Sequence, residues 1–348
     1  MDSKRQGTNK MKALSIKDIA KKAEVSITTV SFILNGKAAQ MRISKAVIEK
    51  VEAIIKEMEF KPNQVARSLR TGNTKTIGLL VEDISNPFFA SIARKIEDKA
   101  YKKGYKISYS STENNPAKAK DLIEMFKSRQ VDAYIIAPVP GIEDDIKLLL
   151  AEGIPVVIFD RNLPDLDVNS VAVDNFNGTY IATEYLINKG KKNIAFVTVD
   201  VHVDQMDNRF LGYQKALKDH GQLFNTALYT EIPFNNPDDN TDAQLKLMFE
   251  LNPEIDAVLF STNYLAIKGL GVLKQINKQI NEDFTIISYD DHDVFRLHTP
   301  PISVVDQPIE EIAERIIDIV LHELANSNNP LNRRGLSKVV LQPHFIER

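Results

Sequence analysis

Apolar positions near the start of the chain recur at helical spacing in three short segments. The first begins at a capping-box sequence, residues 15–18, the second runs from residue 27 to residue 34, and the third runs from residue 45 to residue 60. Only four residues, 23–26, link the first segment to the second. Two short helices across a tight turn, supported by a third helix, predict a helix-turn-helix.

A fourth segment, residues 61–72, predicts one more short helix. Pro62 suits a first helical position, Val65 and Leu69 lie four residues apart, and Gly72 follows the end. A helix of about eight residues is not stable by itself. The segment is therefore either a switch that folds only when docked or a simple linker.

Beyond residue 75 the chain alternates short β-branched runs with amphipathic helices. Strands are predicted at residues 76–81, 106–110, 133–137, 156–160, 170–173, 193–198, 256–260, 284–289 and 338–341. Helices are predicted at residues 87–103, 116–129, 176–189, 208–220, 264–276 and 309–325. This alternation indicates parallel sheets with helices on both faces, and about 270 residues favour two similar lobes over one sheet.

Composition excludes several classes of protein. The chain has no cysteine, so it has no disulfide framework, no thiolate metal site and no cysteine nucleophile. No apolar run approaches the roughly 18 residues that cross a bilayer. Residues 1–13, which we expect to form a flexible tail, lack the apolar core of a secretory signal. We therefore expect a cytoplasmic protein with no membrane partner.

Charge is distributed unevenly along the chain. Residues 1–75 contain 16 Lys and Arg against 7 Asp and Glu, a net charge of +9, and the remaining residues contain 28 against 40, a net charge of −12. A basic head on an acidic body indicates a polyanion partner for the head alone. A merely solvated basic surface is the alternative, so the charge needs the helix-turn-helix beside it.

The predicted helix-turn-helix supplies candidate DNA-contacting residues, because its second helix lies in the major groove in that motif. Hydroxyl groups can bond base edges and phosphates, while Ile27 and Phe32 can contact thymine methyl groups. The candidates from this region are Ser15, Ser26, Ile27, Thr28, Thr29, Ser31, Phe32 and Asn35. A three-helix unit without a role in DNA binding is the alternative.

Polar residues follow the predicted strands, where parallel sheets bind ligands. Carboxylates, amides and a guanidinium beside one flat ring suit a polyol. The candidates at strand ends are Phe88, Asp160, Arg161, Asp174, Asn263, Asp290 and Gln307. Turn capping by Asp160 and Asp174, helix capping by Asn175, and a core role for Phe88 or Phe89 are the alternatives.

No motif indicates an enzyme or a cofactor. The chain has no Gly-x-Gly-x-x-Gly cradle, no Walker-type lysine loop and no Gly-x-Ser-x-Gly elbow. His202, His292 and His298 lack the spacing of metal ligands. We therefore expect a binding protein that has no cofactor and no metal.

Two stretches of sequence carry a family resemblance. SIKDIAKKAEVSITTVSFILNGK (residues 15–37) and FKPNQVARSLRTGNTKTIGLLVEDISNPFF (residues 60–89) closely resemble the lac-repressor (LacI/GalR) family of bacterial regulators, and the likeness covers residues 14–348. The head motifs are very specific, whereas the body motifs are shared with periplasmic sugar-binding proteins. The resemblance implies a homodimer on a pseudo-palindromic double-stranded DNA operator.

The resemblance also implies the architecture. An all-α helix-turn-helix head (residues 14–61) and a hinge helix with linker (62–75) precede a periplasmic-binding-protein-like α/β core (76–348). That core has two doubly wound parallel-sheet lobes joined by three crossovers. We expect the N-lobe at residues 76–173 and 306–336 and the C-lobe at residues 174–305 and 337–348.

Individual residues gain roles from the resemblance. Leu69 matches the hinge leucine that wedges into a central base step in the minor groove, and Ala66 lies on the same face. Arg67 and Arg70 match residues that pack the hinge or contact phosphate. Arg209, in the sequence Arg-Phe-Leu-Gly-Tyr, matches a ligand residue, as does Asp290.

Three positions depart from the family pattern. Glu24 stands in the turn where glycine or asparagine is usual, which predicts strain if its φ is positive. Phe32 replaces a base-reading arginine or histidine, so the operator sequence does not follow from the family. Tyr264 replaces a residue that is often aspartate, which leaves the contacts around Asn263 open.

These observations predict a transcriptional regulator, acting as a repressor, whose operator affinity is controlled by a small ligand bound between the lobes. A sugar is the expected ligand, and a purine or nucleoside is the alternative. The ligand could also act as a corepressor, or the protein as an activator. A sugar-binding module without a DNA role would predict a signal peptide and no helix-turn-helix.

Overall fold

The computed structural model describes residues 14–60, 72–201, 203–234, 240–281, 283–326 and 335–348. The chain divides into two compact units between Thr74 and Lys75. The predicted tail, residues 1–13, lies outside the described residues, as does His202. The same holds for the residues predicted to act in the hinge, Ala66, Arg67, Leu69 and Arg70.

The smaller unit is the predicted helix-turn-helix, with α1 at Ile16–Ala23, α2 at Ile27–Leu34 and α3 at Lys45–Glu57. The Asp18 carboxylate accepts hydrogen bonds from the Ser15 amide (2.8 Å) and hydroxyl (2.6 Å). Apolar side chains from all three helices form one core. These contacts let three short helices hold one another, although none is long enough to be stable alone.

The turn between α1 and α2 is strained where we expected it. Glu24 has φ +57° and ψ +40°, a left-handed conformation that costs a residue with a side chain roughly 1–2 kcal/mol. Its carboxylate pairs with the Lys50 ammonium group at 3.1 Å, across the turn to α3. The turn between α1 and α2 therefore adopts its left-handed conformation without a glycine.

The larger unit contains two six-stranded sheets, which confirms the predicted α/β core. The first has the order β11-β5-β4-β3-β1-β2 and the second the order β12-β10-β9-β8-β6-β7. All pairings are parallel except β12 with β10, which is antiparallel. The strands are β1 Thr76–Val81, β2 Lys106–Ser111, β3 Ala133–Ile136, β4 Val156–Phe159, β5 Asn169–Val173, β6 Ile194–Val199, β7 Tyr229–Ile232, β8 Ala257–Phe260, β9 Thr285–Tyr289, β10 Ser303–Asp306, β11 Lys338–Leu341 and β12 His344–Ile346.

Helices cover both faces of each sheet, as the alternating pattern predicts. They are α4 Pro87–Lys102, α5 Pro116–Ser128, α6 Glu143–Ala151, α7 Asn175–Asn188, α8 Asp204–Asp219, α9 Thr241–Leu251, α10 Asn263–Gln275, α11 Asp293–Leu297 and α12 Ile309–Asn326. In β1, Leu79 joins the apolar cluster under α4 and α12, while its neighbour Leu80 joins the cluster under α5. Burial on both faces explains why the central strands are continuous apolar runs.

The chain passes between the lobes three times, after β5, after β10 and after β11. The last crossing corrects the expected lobe boundary, because residues 337–348 do not all belong to the C-lobe. β11 pairs in parallel with β5 of the N-lobe sheet, with Lys338 opposite Ser170 and Leu341 opposite Val173. Only β12 returns to the second sheet, where Val304 faces Ile346. An extended segment can form its backbone hydrogen bonds at the edge of either sheet. The sequence pattern alone therefore does not determine which sheet the segment joins.

We expect Gly212→Ala to destabilise the C-lobe. A methyl group at Gly212 of α8 would overlap the backbone carbonyl of Phe176 in α7, and backbone cannot move aside cheaply. Overpacking of this kind typically costs about 1–3 kcal/mol, measurable by urea unfolding followed by circular dichroism.

Gly271→Ala in α10 is the matched control, because a methyl group there meets nothing within 4 Å. It should raise stability by up to about 1 kcal/mol through helix propensity. Equal effects of the two substitutions would show that the α7–α8 contact is looser than described.

Candidate ligand-binding and DNA-binding sites

The carboxyl ends of strands from both sheets meet around one central cavity in the larger unit. The cavity encloses about 40 Å³, which is room for only a few water molecules. Two neighbouring cavities of about 430 and 330 Å³ share lining residues with it. Six of the predicted ligand residues line the central cavity: Phe88, Asp160, Arg161, Arg209, Asp290 and Gln307.

Arg209 is held rigidly at the base of the cavity and is 2% exposed. Its Nε donates to the Asn175 side-chain oxygen at 2.8 Å, and its Nη1 donates to the Ser261 carbonyl at 2.6 Å. The guanidinium carbon lies 3.5 Å from the centre of the Tyr289 ring. Helices α7 and α8 and strands β8 and β9 therefore fix one donor fork in place.

Asp160 and Asp290 occupy equivalent places in the two lobes, directly after β4 and β9. Both have left-handed backbones, with φ of +67° and +66°. A glutamine amide donates to each carboxylate, Gln205 to Asp160 at 3.4 Å and Gln307 to Asp290 at 2.6 Å. Strained residues at such sites cost of order 1–3 kcal/mol each and commonly mark function.

Burial disfavours the charged form of these carboxylates. It raises the pKa of Asp160 to about 6, although the nearby guanidinium groups of Arg161 and Arg209 lower it. Burial also raises the pKa of Asp290, against the opposing effects of Arg209 and the Gln307 hydrogen bond. Both aspartates in the cleft therefore lose their protons at a higher pH than an ordinary aspartate does.

Arg161 forms a buried ion pair with Glu82, a cavity residue that the sequence analysis missed. Arg161 Nη1 also donates to the Asn114 side chain at 2.5 Å and to the Pro138 carbonyl at 3.3 Å. Burial raises the pKa of Glu82 even though Arg161 lowers it. Glu82 directly follows β1, so a search of the first residue after each strand would have found it.

The lobes touch each other through polar side chains at the cleft. Asn162 donates to the Asp204 carboxylate at 3.0 Å, in addition to the bond between Gln205 and Asp160. Asn263, predicted as a ligand residue, donates to the Asn86 side chain at 3.4 Å and lines the 430 Å³ cavity rather than the central one. Movement of one lobe would therefore change contacts made by the other.

The structure corrects the expectation for Asp174. Its carboxylate caps α7 by accepting from the Asn177 amide at 3.0 Å, and it also accepts from the Gln342 side chain at 3.3 Å. It does not line the central cavity. Capping by Asp174 was the alternative that the sequence left open, and it is the role that the structure shows. Asn175, for which helix capping was also the alternative, accepts a hydrogen bond from Arg209 instead.

The remaining candidates divide between ligand cavity and core. Phe88 and Phe89 both line the cavity, and both also pack in the N-lobe core with ring centres 5.0 Å apart.

Within the described part of the chain, no group of His, Cys, Asp and Glu is arranged to hold a metal ion. None of the described helices is long and apolar enough to cross a membrane.

In the smaller unit, the predicted DNA-contacting residues divide by burial. Ser15, Ser26, Ile27 and Thr28 are exposed, whereas Thr29, Ser31, Phe32 and Asn35 are partly buried. Several of them have structural bonds: the Ser15 hydroxyl donates to the Asp18 carboxylate (2.6 Å), the Ser26 hydroxyl caps α2 at the Thr29 amide (3.0 Å), and the Asn35 amide donates to the Ser31 carbonyl (2.6 Å). The side chains left for base contact are few.

We expect the contribution of Asp160 to the free energy of unfolding to fall as pH rises from about 4 to about 6. The folded protein keeps the Asp160 proton to a higher pH than the unfolded chain, so deprotonation favours unfolding. Asp160→Asn removes that titration and should raise stability at pH 8 by as much as about 3 kcal/mol. Chemical unfolding at several pH values measures both effects.

Asp165→Asn is the control, because Asp165 is exposed in the same loop. It should change stability by no more than about 0.5 kcal/mol at any pH. A less stable Asp160→Asn protein at pH 8 would show that the buried charge stabilises the fold, contrary to this account.

Comparison with known proteins agrees with the fold. Residues 74–334 match the model for periplasmic binding proteins and the sugar-binding domain of the LacI family, and residues 15–63 match the model for bacterial regulatory proteins of the lacI family. The chain is 30% identical over 340 residues to the transcriptional regulator DegA of Bacillus subtilis (strain 168), covering 96% of this chain and 97% of DegA.

Two further proteins extend the comparison. The transcriptional repressor PurR of Haemophilus influenzae (strain PittEE) is 29% identical over 336 residues, 96% of this chain and 97% of PurR. A crystal structure of the lac repressor dimer bound to operator and an anti-inducer superposes with a TM-score of 0.83 at 20% identity, covering 97% of this chain and 98% of that one. The chain therefore belongs to the LacI family of bacterial transcription regulators, with a DNA-binding helix-turn-helix and a periplasmic-binding-protein-like ligand domain.

Proposed function

We propose that the effector of this regulator is a small uncharged molecule rich in hydroxyl groups, most simply a sugar, that binds at Arg209, Asp160 and Asp290 when the lobes move apart, because the central cavity of about 40 Å³ is too small to hold it. The observation that carries the proposal is the placement of two strained, buried aspartates, one from each lobe, around one fixed guanidinium. Adjacent hydroxyls on a sugar ring match such a set, because each hydroxyl both donates and accepts.

Unsatisfied polar atoms at the cavity support the same chemistry. Arg161 Nε, Gln205 Oε1 and Thr262 Oγ1 are buried without a hydrogen-bond partner among the described residues. They comprise a donor, an acceptor and a hydroxyl that can do either. A ligand with hydroxyl groups satisfies all three, and leaving them unpaired costs roughly 1–3 kcal/mol each.

The charge of the cavity argues against an anionic effector. Three carboxylates, Glu82, Asp160 and Asp290, line it against two guanidinium groups, Arg161 and Arg209. Both guanidinium groups already donate to protein acceptors. A phosphate or carboxylate would be desolvated beside like charges, so a phosphorylated sugar is disfavoured.

A nucleoside is the second candidate, because more than one ring faces the cleft. Phe234 and Tyr264 line the central cavity and the 430 Å³ cavity, in addition to Phe88 and Phe89. Several aromatic side chains suit a flat base. The buried acids still favour the hydroxyl-bearing part of such a molecule as the group nearest Arg209.

Coupling to DNA follows from the chain path. The residues after the helix-turn-helix lead directly into β1 of the N-lobe, and Gln307, which bonds Asp290, lies on the second crossing between the lobes. A ligand that draws the lobes to a new arrangement would act on the head through residues 62–75, the predicted hinge helix and linker. Typical couplings are about 1–3 kcal/mol and require tighter ligand binding to one state.

We further propose a cytoplasmic homodimer without enzymatic activity, whose two heads bind the halves of a pseudo-palindromic operator. The lac repressor dimer with operator, similar in fold, supports this arrangement. Induction, corepression and activation would all use these contacts and differ in which state the ligand binds more tightly.

Binding of the full-length protein to a randomised duplex library, followed by gel shifts with a panel of neutral sugars and nucleosides, tests the proposal. We expect an enriched palindromic site and at least one neutral compound that changes its affinity by about 5- to 150-fold. A protein that stays monomeric and indifferent to duplex DNA at low salt would contradict it.

Arg209→Lys should keep operator binding and lose the ligand response. Lysine retains the charge but not the planar fork, and loss of a charged hydrogen bond typically weakens binding by about 10- to 100-fold. Isothermal titration of the active compound measures the loss. Lys218→Ala, on the exposed side of the same helix, should bind it like the wild type. An unchanged ligand affinity in Arg209→Lys would mean that the cleft is misplaced.

Leu69→Ala tests the hinge, which lies outside the described residues. Removing the apolar wedge should weaken binding to the enriched operator and leave binding to random duplex DNA unchanged, because only specific binding bends the central step. Competition gel shifts at one salt concentration compare the two. An equal loss of specific and non-specific affinity would argue against the wedge.

A further inference from the structure

The second helix of the helix-turn-helix carries no charged side chain and no amide side chain. Residues Ile27–Leu34 read Ile-Thr-Thr-Val-Ser-Phe-Ile-Leu. Arginine and lysine read guanine, and asparagine and glutamine read adenine, through paired hydrogen bonds in the major groove. Asn35 follows the helix, but its amide is already bonded to the Ser31 carbonyl at 2.6 Å. The usual hydrogen-bonding readers are therefore missing from α2.

The helix has one buried face and one open face. Val30 and Ile33 pack in the core of the unit with Leu34 against it. At 100° per residue, Thr28 and Phe32 lie one turn apart on the opposite face, and Ile27, 100° from Thr28, is exposed at the N-terminal end of the helix. We call Ile27, Thr28 and Phe32 the reading face of α2.

The apolar members of the reading face have no packing role that explains them. Ile27 is 44% exposed, and Phe32 is partly buried. Neither belongs to the described core of the unit or packs against it, unlike Leu34, Val47 and Ile55. An isoleucine and a phenylalanine on the open face of a DNA-reading helix need an apolar counterpart in the groove. The C5-methyl group of thymine is the apolar group that the major groove offers.

Thr28 does not replace the missing readers. A single hydroxyl bonds donors and acceptors alike, so it discriminates bases weakly. Positive charge for the phosphates comes from outside α2, where Lys37 and Arg42 are exposed between α2 and α3. Backbone contacts of this kind position the protein but carry no sequence information.

We propose that this regulator recognises its operator half-site chiefly through thymine methyl groups, contacted by Ile27 and Phe32. The inference rests on the proposed binding of a pseudo-palindromic operator. It names thymine as the base class that the reading face selects. It also explains how a helix without polar readers can still be specific: each buried methyl adds affinity, while flanking lysine and arginine supply attraction that is blind to sequence.

The test removes single methyl groups from the DNA. The operator is first enriched with the full-length protein, and each thymine is then replaced by uracil in both half-sites at once. Uracil keeps every hydrogen-bonding group of thymine and lacks only the methyl. At one or two positions per half-site we expect a loss of about fourfold per methyl, equivalent to about 0.8 kcal/mol for one methyl group returned to water.

Protein variants assign the methyls to residues. Phe32→Ala and Ile27→Ala should each lose the preference for thymine over uracil at one operator position. Binding to random DNA and its salt dependence should stay unchanged. Leu14→Ala is the matched control, because Leu14 is also 44% exposed and precedes α1. It should retain the full preference for thymine.

The outcomes separate this inference from the function it rests on. Enrichment of no sequence would contradict operator binding itself. An enriched operator bound equally well with uracil at every position would overturn the methyl contacts alone. A thymine preference that survives in both Phe32→Ala and Ile27→Ala would also overturn the methyl contacts. An operator affinity that depends only on guanine N7 would do the same and would assign recognition to the Thr28 hydroxyl.

Discussion

Five charged groups are enclosed in the space where the two parallel sheets of the larger unit meet. Burying a charge is costly unless it is paired, so each depends on the others and on its neighbours for support. Arg209 relies on Asn175, Ser261 and the Tyr289 ring. These partners come from different strands and helices, so the fold must be complete before the cleft exists. The arrangement favours function over stability, as the raised pKa of Asp160 shows.

The head differs from the cleft, because it must recognise a DNA sequence without burying charged side chains. Its charged residues lie around α2, and α2 itself is uncharged. The net charge of +9 on residues 1–75 draws that part of the chain to DNA, while the −12 on the remainder keeps the body away. If the reading face selects the operator as proposed, attraction and discrimination come from different side chains.

Much of this architecture could be predicted from the sequence because periodicity and capping signals are local. The three head helices, the strain at Glu24 and nine of the strands follow from such signals. β7, β10 and β12 were missed, and two of them lie at sheet edges. β11 was assigned to the wrong lobe because edge pairing is decided by tertiary packing.

The ligand residues show the same limit at finer scale. Arg209 and Asp290 were identified through family resemblance, and strand ends located Asp160 and Arg161. Glu82 directly follows β1 and could have been found at a strand end, as Asp160 was, whereas Asn114 in a loop and Gln205 in α8 have no spacing signal before the fold brings them to the cavity. Asp174, which caps α7, and Asn175, which contacts Arg209, differ by one residue of helix phase, which capping preferences do not resolve.

The central claim is that one equilibrium links the cleft to the operator, and thermodynamic linkage tests it most directly. The affinity of the active neutral compound should be measured by titration calorimetry with the free protein and with the protein saturated by operator. The account predicts that operator changes the ligand affinity by the same factor, about 5- to 150-fold, by which the ligand changes operator affinity. Equal ligand affinities with and without operator would contradict it.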